Sequence, residues 1–375
     1  MIDLPSEFIQ TIKNTFREDG KRWLESFPTL LDEASHRWGL IDVRPVPNLS
    51  YNFVAMAQSG ASDSKRTPAL AGGARGRRAR PSTTGFDKLN PPLRTEIILK
   101  LGVPNRELAS EIAALKIYDG HGTCRLLDAD PEKGMLLLER LQPGHMLATM
   151  EDDERATRIA AEVMKSLWRS SSDFVEHHVR VSRYKTTTLA PRPGREPIGA
   201  RRPAGGAGEF VPTNFIYLKD WFDGFKRLRQ RFNGGTGPLP EKMVEIAEAL
   251  SSDLLSENKD ETLLHGDFHH YNVLESERGW LAIDPKGVVG PKGYEVGPLL
   301  INPIDRFLNG NNPQVQTEKR IAILSEMLGM ERERIRSWGI CHAILSAWWS
   351  FEDIDPGWGN YSVRCAEIFA MVQNK

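Results

Sequence analysis

Phe8, Ile9, Ile12 and Phe16 recur at helical spacing and predict a helix over residues 5–40. From Leu49 the texture changes. The run LSYNFVAM alternates and is rich in strand formers, and TEIILKLG, Thr95 to Gly102, predicts a second strand. Asn105 to Tyr118 returns to a helical period, with Asn105 as its cap and Leu108, Ile112 and Leu115 as its buried stripe. GMLLLERL, Gly134 to Leu141, predicts a strongly apolar strand ending at a Pro-Gly turn, and Glu154 to Trp168 predicts a helix. From Phe215 onward the pattern is helical, interrupted by a strand-rich stretch from Thr262 to Asp284. This order predicts an α+β chain. A small antiparallel-sheet lobe occupies residues 1–140, and a mainly helical lobe follows over residues 141–375.

Two stretches break the pattern. Residues 58–94 and 180–212 are dominated by Gly, Ala, Arg, Ser and Pro, with few large apolar side chains. Such segments bury too little surface to offset their ordering entropy and are expected to be disordered insertions. The second is basic, so a nucleic-acid or membrane-surface role is the competing reading; the lack of interleaved aromatics speaks against it.

Composition narrows the class. The chain has 375 residues, 40% hydrophobic and 26% charged, enough for two lobes. A formal net charge of −1 argues against nucleic acid as the main partner. Cys124, Cys341 and Cys365 form no C-x-x-C pair, so neither a disulfide framework nor a zinc ribbon is expected, and a reducing cytoplasm fits. The first 20 residues carry acids in every turn, unlike a signal peptide, and no apolar run approaches the roughly 20 residues of a membrane span. A soluble cytoplasmic protein without a membrane partner is expected.

The candidate chemistry lies in LLHGDFHHYNVL, Leu263 to Leu274. His265 and His269 have a spacing used by metal ligands on helices, which raises a zinc hydrolase, but Gly266 argues against a helix there. Phosphoryl transfer explains more residues. A catalytic-loop Asp followed five positions later by a metal-binding Asn is the kinase spacing, and Asp267 and Asn272 have it. The segments NVLES and WLAID predict a hairpin turning near Arg278–Gly279, which returns Asp284 to Asn272. Converging oxygen ligands of this kind suit Mg²⁺. Lys100 sits amid apolar residues in a strand, where it needs a partner; Glu111 on the next helix offers one, with Glu107 in competition. The phosphate-covering turn would be NLSYN, with Ser50 and Asn52 as donors, and the backbone of Glu139 to Leu141 would meet adenine.

With these residues assembled, the chain resembles the aminoglycoside/hydroxyurea phosphotransferase family, in its streptomycin 6-kinase-like branch of the kinase-like fold. NLSYNFVA, ILKLGVPNRELASEIAAL, LLLERLQPG, LLHGDFHHYNVL and IDPKGVVGPKGYEVGPLLINP carry the resemblance. It implies a bilobal protein-kinase-like fold and ATP-dependent phosphorylation of a small-molecule hydroxyl. By position in the motifs it implies Asp267 as catalytic base, Asn272 and Asp284 as Mg²⁺ ligands, and Lys100 with Glu111 as phosphate anchor. The two low-complexity insertions depart from the pattern. Lys286 either meets the γ-phosphate or pairs with an acid, and His265 and His269 are expected to orient the loop. A streptomycin-like acceptor carries guanidinium groups and calls for acids. Glu295, Glu352 and Asp353 are the candidates, with Trp348 or Trp349 offering a ring face, against the plainer readings of helix end and core. Hydroxyurea, small and uncharged, would need a tighter site. A nucleotide-binding pseudokinase is the remaining alternative, and the oligomeric state is left unassigned.

Overall fold

The computed structural model describes residues 2–59, 95–170, 215–256, 261–309, 312–352 and 356–372. All of the expected insertion at 180–212, and the 60–94 part of the expected insertion at 58–94, lie outside the described residues. Gln58 and Ser59 are strand, paired with Glu96 and Thr95, which corrects the start of the first insertion.

The chain opens with α1 (Ser6–Trp38). The expected single helix is in fact broken at Arg17, which adopts φ 51° and ψ −120°. The break folds the first segment back against the second. A Cβ on Gly20 would lie 2.4 Å from the Ile12 carbonyl oxygen, so glycine permits the approach. Phe8 on Trp23 and Phe27 on Phe53 then meet edge to face, with Trp23 tilted against Phe27 between them, centroids 4.8–6.3 Å apart, and join the helix to the sheet.

That sheet is antiparallel, in the order β1-β2-β3-β5-β4, from β1 (Leu40–Pro45), β2 (Asn52–Ser59), β3 (Thr95–Gly102), β4 (Leu126–Asp130) and β5 (Met135–Glu139). Strand alternation divides its residues. Phe53, Ala55, Leu99, Leu101 and Met135 face α1. Ile98, Leu136 and Leu138 face α2 (Arg106–Tyr118), packing on Leu108, Ile112 and Leu115. Lys100, in register with Val54 and Leu136, shares that second face. Asn105 caps α2 as expected, accepting from the Leu108 amide.

The chain leaves β5 through Arg140–Gln142 and enters a mainly helical body. Its elements are β6 (Pro143–Met146), α3 (Asp153–Leu167), β7 (Arg169–Ser170), β8 (Ile216–Tyr217), α4 (Leu218–Arg231), α5 (Glu241–Ser256) and β9 (Thr262–Leu264). They continue with β10 (Val273–Ser276), β11 (Gly279–Ala282), β12 (Val288–Gly290), α6 (Val296–Leu300), α7 (Ile304–Asn309), α8 (Pro313–Leu328), α9 (Arg332–Glu352) and α10 (Pro356–Met371). Helix α9 is the spine. Its buried residues, from Ile335 to Ser350, lie on every face, so other helices pack all round it.

Two small sheets sit beside this bundle: β11-β10-β6, and β7-β9-β12-β8, in which β12 runs parallel to β8. The hairpin β10–β11 is the one expected, with Ser276 opposite Gly279. Its second strand also reaches the upper sheet's territory. Ala282 exchanges backbone hydrogen bonds with Gly122 and Cys124 at 2.8 and 2.9 Å. Arg278 at the turn donates to the Gly120 carbonyl at 2.8 Å and pairs with Glu139. Among the described residues no helix is long and apolar enough to cross a membrane.

Candidate active site

Strand β9 delivers the loop that begins at His265. Gly266 turns it with φ +87°, and a Cβ there would come within 2.6 Å of Val288 and 3.1 Å of Trp221. The backbone is pinned from below by Glu295, whose two oxygens accept from the amides of Gly266 at 2.8 Å and His265 at 3.2 Å. Burial pushes the Glu295 carboxyl up to about 7, against the pull of those two amides. His265 spends its ring inside the loop. Nε2 donates to the Ile283 carbonyl at 2.8 Å, and Nδ1 accepts from the Asp267 amide at 3.3 Å. Burial lowers its pKa to about 4, which agrees with this neutral ring.

Asp267 follows, recessed but open, with 38% of its side chain exposed. Burial opposes its ionisation, but nearby positive charge, Lys286 included, outweighs that and holds it well below the usual carboxylate range. Asn272 donates through Nδ2 to the Asp267 carbonyl at 3.0 Å, and its own carbonyl accepts from the Ile283 amide at 2.9 Å. The hairpin thereby closes on the loop and presents Asp284 beside it. Asp284 adopts φ +59°, unusual for a side-chain-bearing residue.

Four charges meet at that turn. Lys100 Nζ lies 2.7 and 2.8 Å from the two Glu111 oxygens and also contacts Asp284 Oδ1. Asp284 Oδ2 lies 3.1 Å from Lys286 Nζ. Burial penalises the Lys100 charge, yet Asp284 and Glu111 raise its pKa above the ordinary value. Burial likewise disfavours the Asp284 carboxylate, but Lys100 and Lys286 depress its pKa. Lys286 is raised against its own burial, chiefly by Asp284 and then Asp267. Burial pushes Glu111 up while Lys100 pulls it down. Gly287 (φ +64°) lets α2 sit directly on the turn: its carbonyl accepts from Ser110 Oγ at 2.6 Å, and a Cβ would come 2.5 Å from the Ser110 oxygen.

Asp267, Asn272, Asp284, Lys286, Lys100 and Glu111 thus converge, and Glu107, one turn earlier, is exposed. Asn52 lies on the Lys100 face, its Oδ1 filling the space above Gly102, and Ser50 is exposed in the β1–β2 connection. Several expectations need correction. Glu139 spends its amide on the Arg125 carbonyl and its carboxylate on the Arg125 amide and Arg278, which leaves Arg140 and buried Leu141 at the crossing. Glu295 is wholly buried beneath the loop and is no substrate acid. Glu352 pairs with Arg227 at 3.4 Å while 30% exposed, and stays a candidate substrate acid. Asp353 lies outside the described residues. Trp348 is core, whereas half-buried Trp349 meets the edge of Trp221 at 5.3 Å. His265 and His269 are not a zinc pair, because His265 has no ring nitrogen to spare.

Sequence reasoning missed Glu295 as the anchor of the loop, and Trp221 as its neighbour. A lone acid in the apolar run GYEVGPLL was the available signal for the first. An acid-rich surface hollow of about 730 Å³, lined by Glu151, Asp152, Glu154 and Asp305 among others, includes none of the converging residues.

The donor set fits a hard divalent cation with phosphates. Asn272 Oδ1 accepts no hydrogen bond among the described residues, and Asp284 adds a carboxylate beside it. Lys100 and Lys286 supply positive charge next to those oxygens.

A sheet lobe holding a paired lysine above a helical lobe holding an Asp–Asn–Asp set defines a kinase-like phosphotransferase. The choline kinase LicA from Streptococcus pneumoniae shares the fold, with a TM-score of 0.52 at 14% identity over 92% of this chain and 99% of that one. The sequence model of the aminoglycoside/hydroxyurea antibiotic resistance kinases matches residues 93–182 and 206–354, and the chain belongs to that family. It is 27% identical to streptomycin 6-kinase of Streptomyces glaucescens over 95% of this chain and 94% of that protein. It is 29% identical to hydroxyurea phosphotransferase of Kitasatospora aureofaciens, over 98% and 86%. The protein is a small-molecule kinase.

Proposed function

We propose that this kinase moves the γ-phosphoryl group of Mg·ATP to a hydroxyl of a streptomycin-like aminoglycoside. One observation carries the reading: an open, ionised Asp267 stands on the same loop as a free amide oxygen at Asn272, beside the Asp284–Lys100–Glu111 network. Adenine would lie between Ile98 above and Leu274 and Ile283 below, its edge toward the backbone of Arg140 and Leu141. Ser50 and the β1–β2 connection would cover the phosphates. Lys100 would neutralise the α- and β-phosphates, with Glu111 fixing its rotamer. Asn272 and Asp284 would hold Mg²⁺, which draws charge off the phosphate oxygens. Lys286, between Asp284 and Asp267, would meet the transferring group. Asp267 would orient the acceptor hydroxyl and take its proton as the new bond forms.

The acceptor class rests on Trp349 and Trp221. Trp221 lies over Gly266, next to Asp267, where a Cβ would come 3.1 Å from its ring, and both indoles are half-buried, so a ring face beside the loop favours a guanidinium cation. Hydroxyurea is the second reading, supported by the relative that bears its name. A panel of streptomycin, other aminoglycosides, hydroxyurea and simple sugars with Mg·ATP tests both, read by mass gain of one phosphoryl group. Nucleotide binding without any product would instead identify a pseudokinase.

A further inference from the structure

We propose that His269 is a positioning residue that holds the Asn272 amide so that its oxygen faces the metal. The inference rests on the phosphoryl-transfer reading above for what that oxygen meets. Its own support is a chain of hydrogen-bond constraints.

The Asn272 amide nitrogen has two neighbours, the Asp267 carbonyl at 3.0 Å and His269 Nε2 at 3.3 Å. A carbonyl only accepts, so the NH₂ end of the amide, not its oxygen, faces Asp267. The second hydrogen of that NH₂ then points to Nε2, which must be bare to receive it. A neutral imidazole bare at Nε2 carries its proton on Nδ1. Among the described residues His269 Nδ1 is buried and has no partner. The loop therefore holds a ring tautomer that leaves a buried N–H unsatisfied, a state that costs stability. What it secures is the amide: both hydrogens are engaged, rotation is blocked, and Oδ1 is the free end.

The ring itself is well fixed. His269 is extended, at φ −147°, where it opens the turn His270–Asn272, and its carbonyl accepts the Asn272 amide at 2.9 Å. Tyr271 meets it edge to face at 5.9 Å. The same Nε2 lies 3.6 Å from Asp267 Oδ1, beyond hydrogen-bond distance, so the amide at 3.3 Å is its hydrogen-bond partner.

The test measures binding of Mn²⁺, in the presence of adenosine imidotriphosphate, by electron paramagnetic resonance. His269→Phe keeps a ring and removes the acceptor; His269→Gln restores an acceptor oxygen. Loss of an outer hydrogen-bond partner of a metal ligand weakens metal affinity by about 10- to 100-fold. His269→Phe should fall in that range, His269→Gln should stay within about threefold of the parent, and both should melt near the parent temperature without metal. If phenylalanine does not fold at this position, His269→Ala, which inserts no bulk, replaces it in the comparison with His269→Gln. The inference is overturned if the variant lacking an acceptor binds Mn²⁺ as tightly as the parent, or if glutamine loses as much as that variant. A parent that binds no Mn²⁺ with nucleotide sinks the metal assignment itself, and this inference with it.

Discussion

Lys100 and Asp284 stand 184 positions apart in the chain, yet the ammonium on β3 touches the carboxylate that follows β11. The same ammonium holds both oxygens of Glu111. One buried cation therefore balances an acid from the helix above it and an acid from the loop below.

Removing that cation has two readouts. Lys100→Met leaves Glu111 buried without its partner, which costs about 3–5 kcal/mol. Denaturation in urea should show this as a lower midpoint. With Lys100 as the proposed phosphate anchor, kcat/KM should also fall about 100-fold or more. Adding Glu111→Gln should restore much of the stability and none of the activity. If the double variant is no more stable than the single, the buried charge is not the cause.

Asp267→Asn separates folding from turnover. The amide fits the same space, and the loop is held from other positions by Glu295, His265 and Asn272. Melting temperature and nucleotide binding should change little, while the phosphorylation rate drops about 10²- to 10⁴-fold. Full activity in this variant would remove Asp267 from its assigned place.

Glu295 makes the stability of the loop depend on pH. Its folded pKa is raised from the ordinary 4.5 to about 7, so the fold binds this proton more tightly than the unfolded chain does. That contribution is complete below the unfolded pKa and is lost as pH rises through about 7. Relative to Glu295→Gln, the parent should thus gain stability on going from pH 8 to pH 5, on the order of 2–3 kcal/mol. Equilibrium denaturation of both proteins at the two pH values measures it; a difference that does not change with pH contradicts the assignment.

The adjacent indoles Trp348 and Trp349 should behave differently. Trp348 is buried in the α9 core, so Trp348→Leu should cost about 2–4 kcal/mol of stability. Trp349→Leu should cost less stability but raise the acceptor KM several-fold for a cationic substrate. Unchanged acceptor KM across the panel would assign Trp349 to packing alone.

Much of this site was legible because its pieces are local. The cap at Asn105, the stripe on α2, strand β3 and the hairpin returning Asp284 each follow from spacing within about 15 residues. Lys100 needed only the rule that a strand lysine among apolar neighbours seeks an acid. What escaped notice was non-local or backbone-borne. Glu295 grips amides 29 and 30 positions away, and amides leave no trace in side-chain patterns. The break at Arg17 follows a helical period that continues through it, so periodicity gave no warning. Trp349 and Trp348 are neighbours in a helix buried on nearly all sides, where period alone does not separate wall from core.

The backbone exchange of Ala282 with Gly122 and Cys124, locked by Arg278, stitches the two lobes together along one seam. A cleft sewn along that seam should gape at its opposite rim, like a purse. In the proposed reaction, nucleotide should slip in, and spent ADP slip out, past the exposed lip around Ser50. In deuterium exchange the amides of Cys124 and Ala282 should stay dark for as long as the core does, while residues 47–51 fill quickly in the apo enzyme and slow once the purse is full.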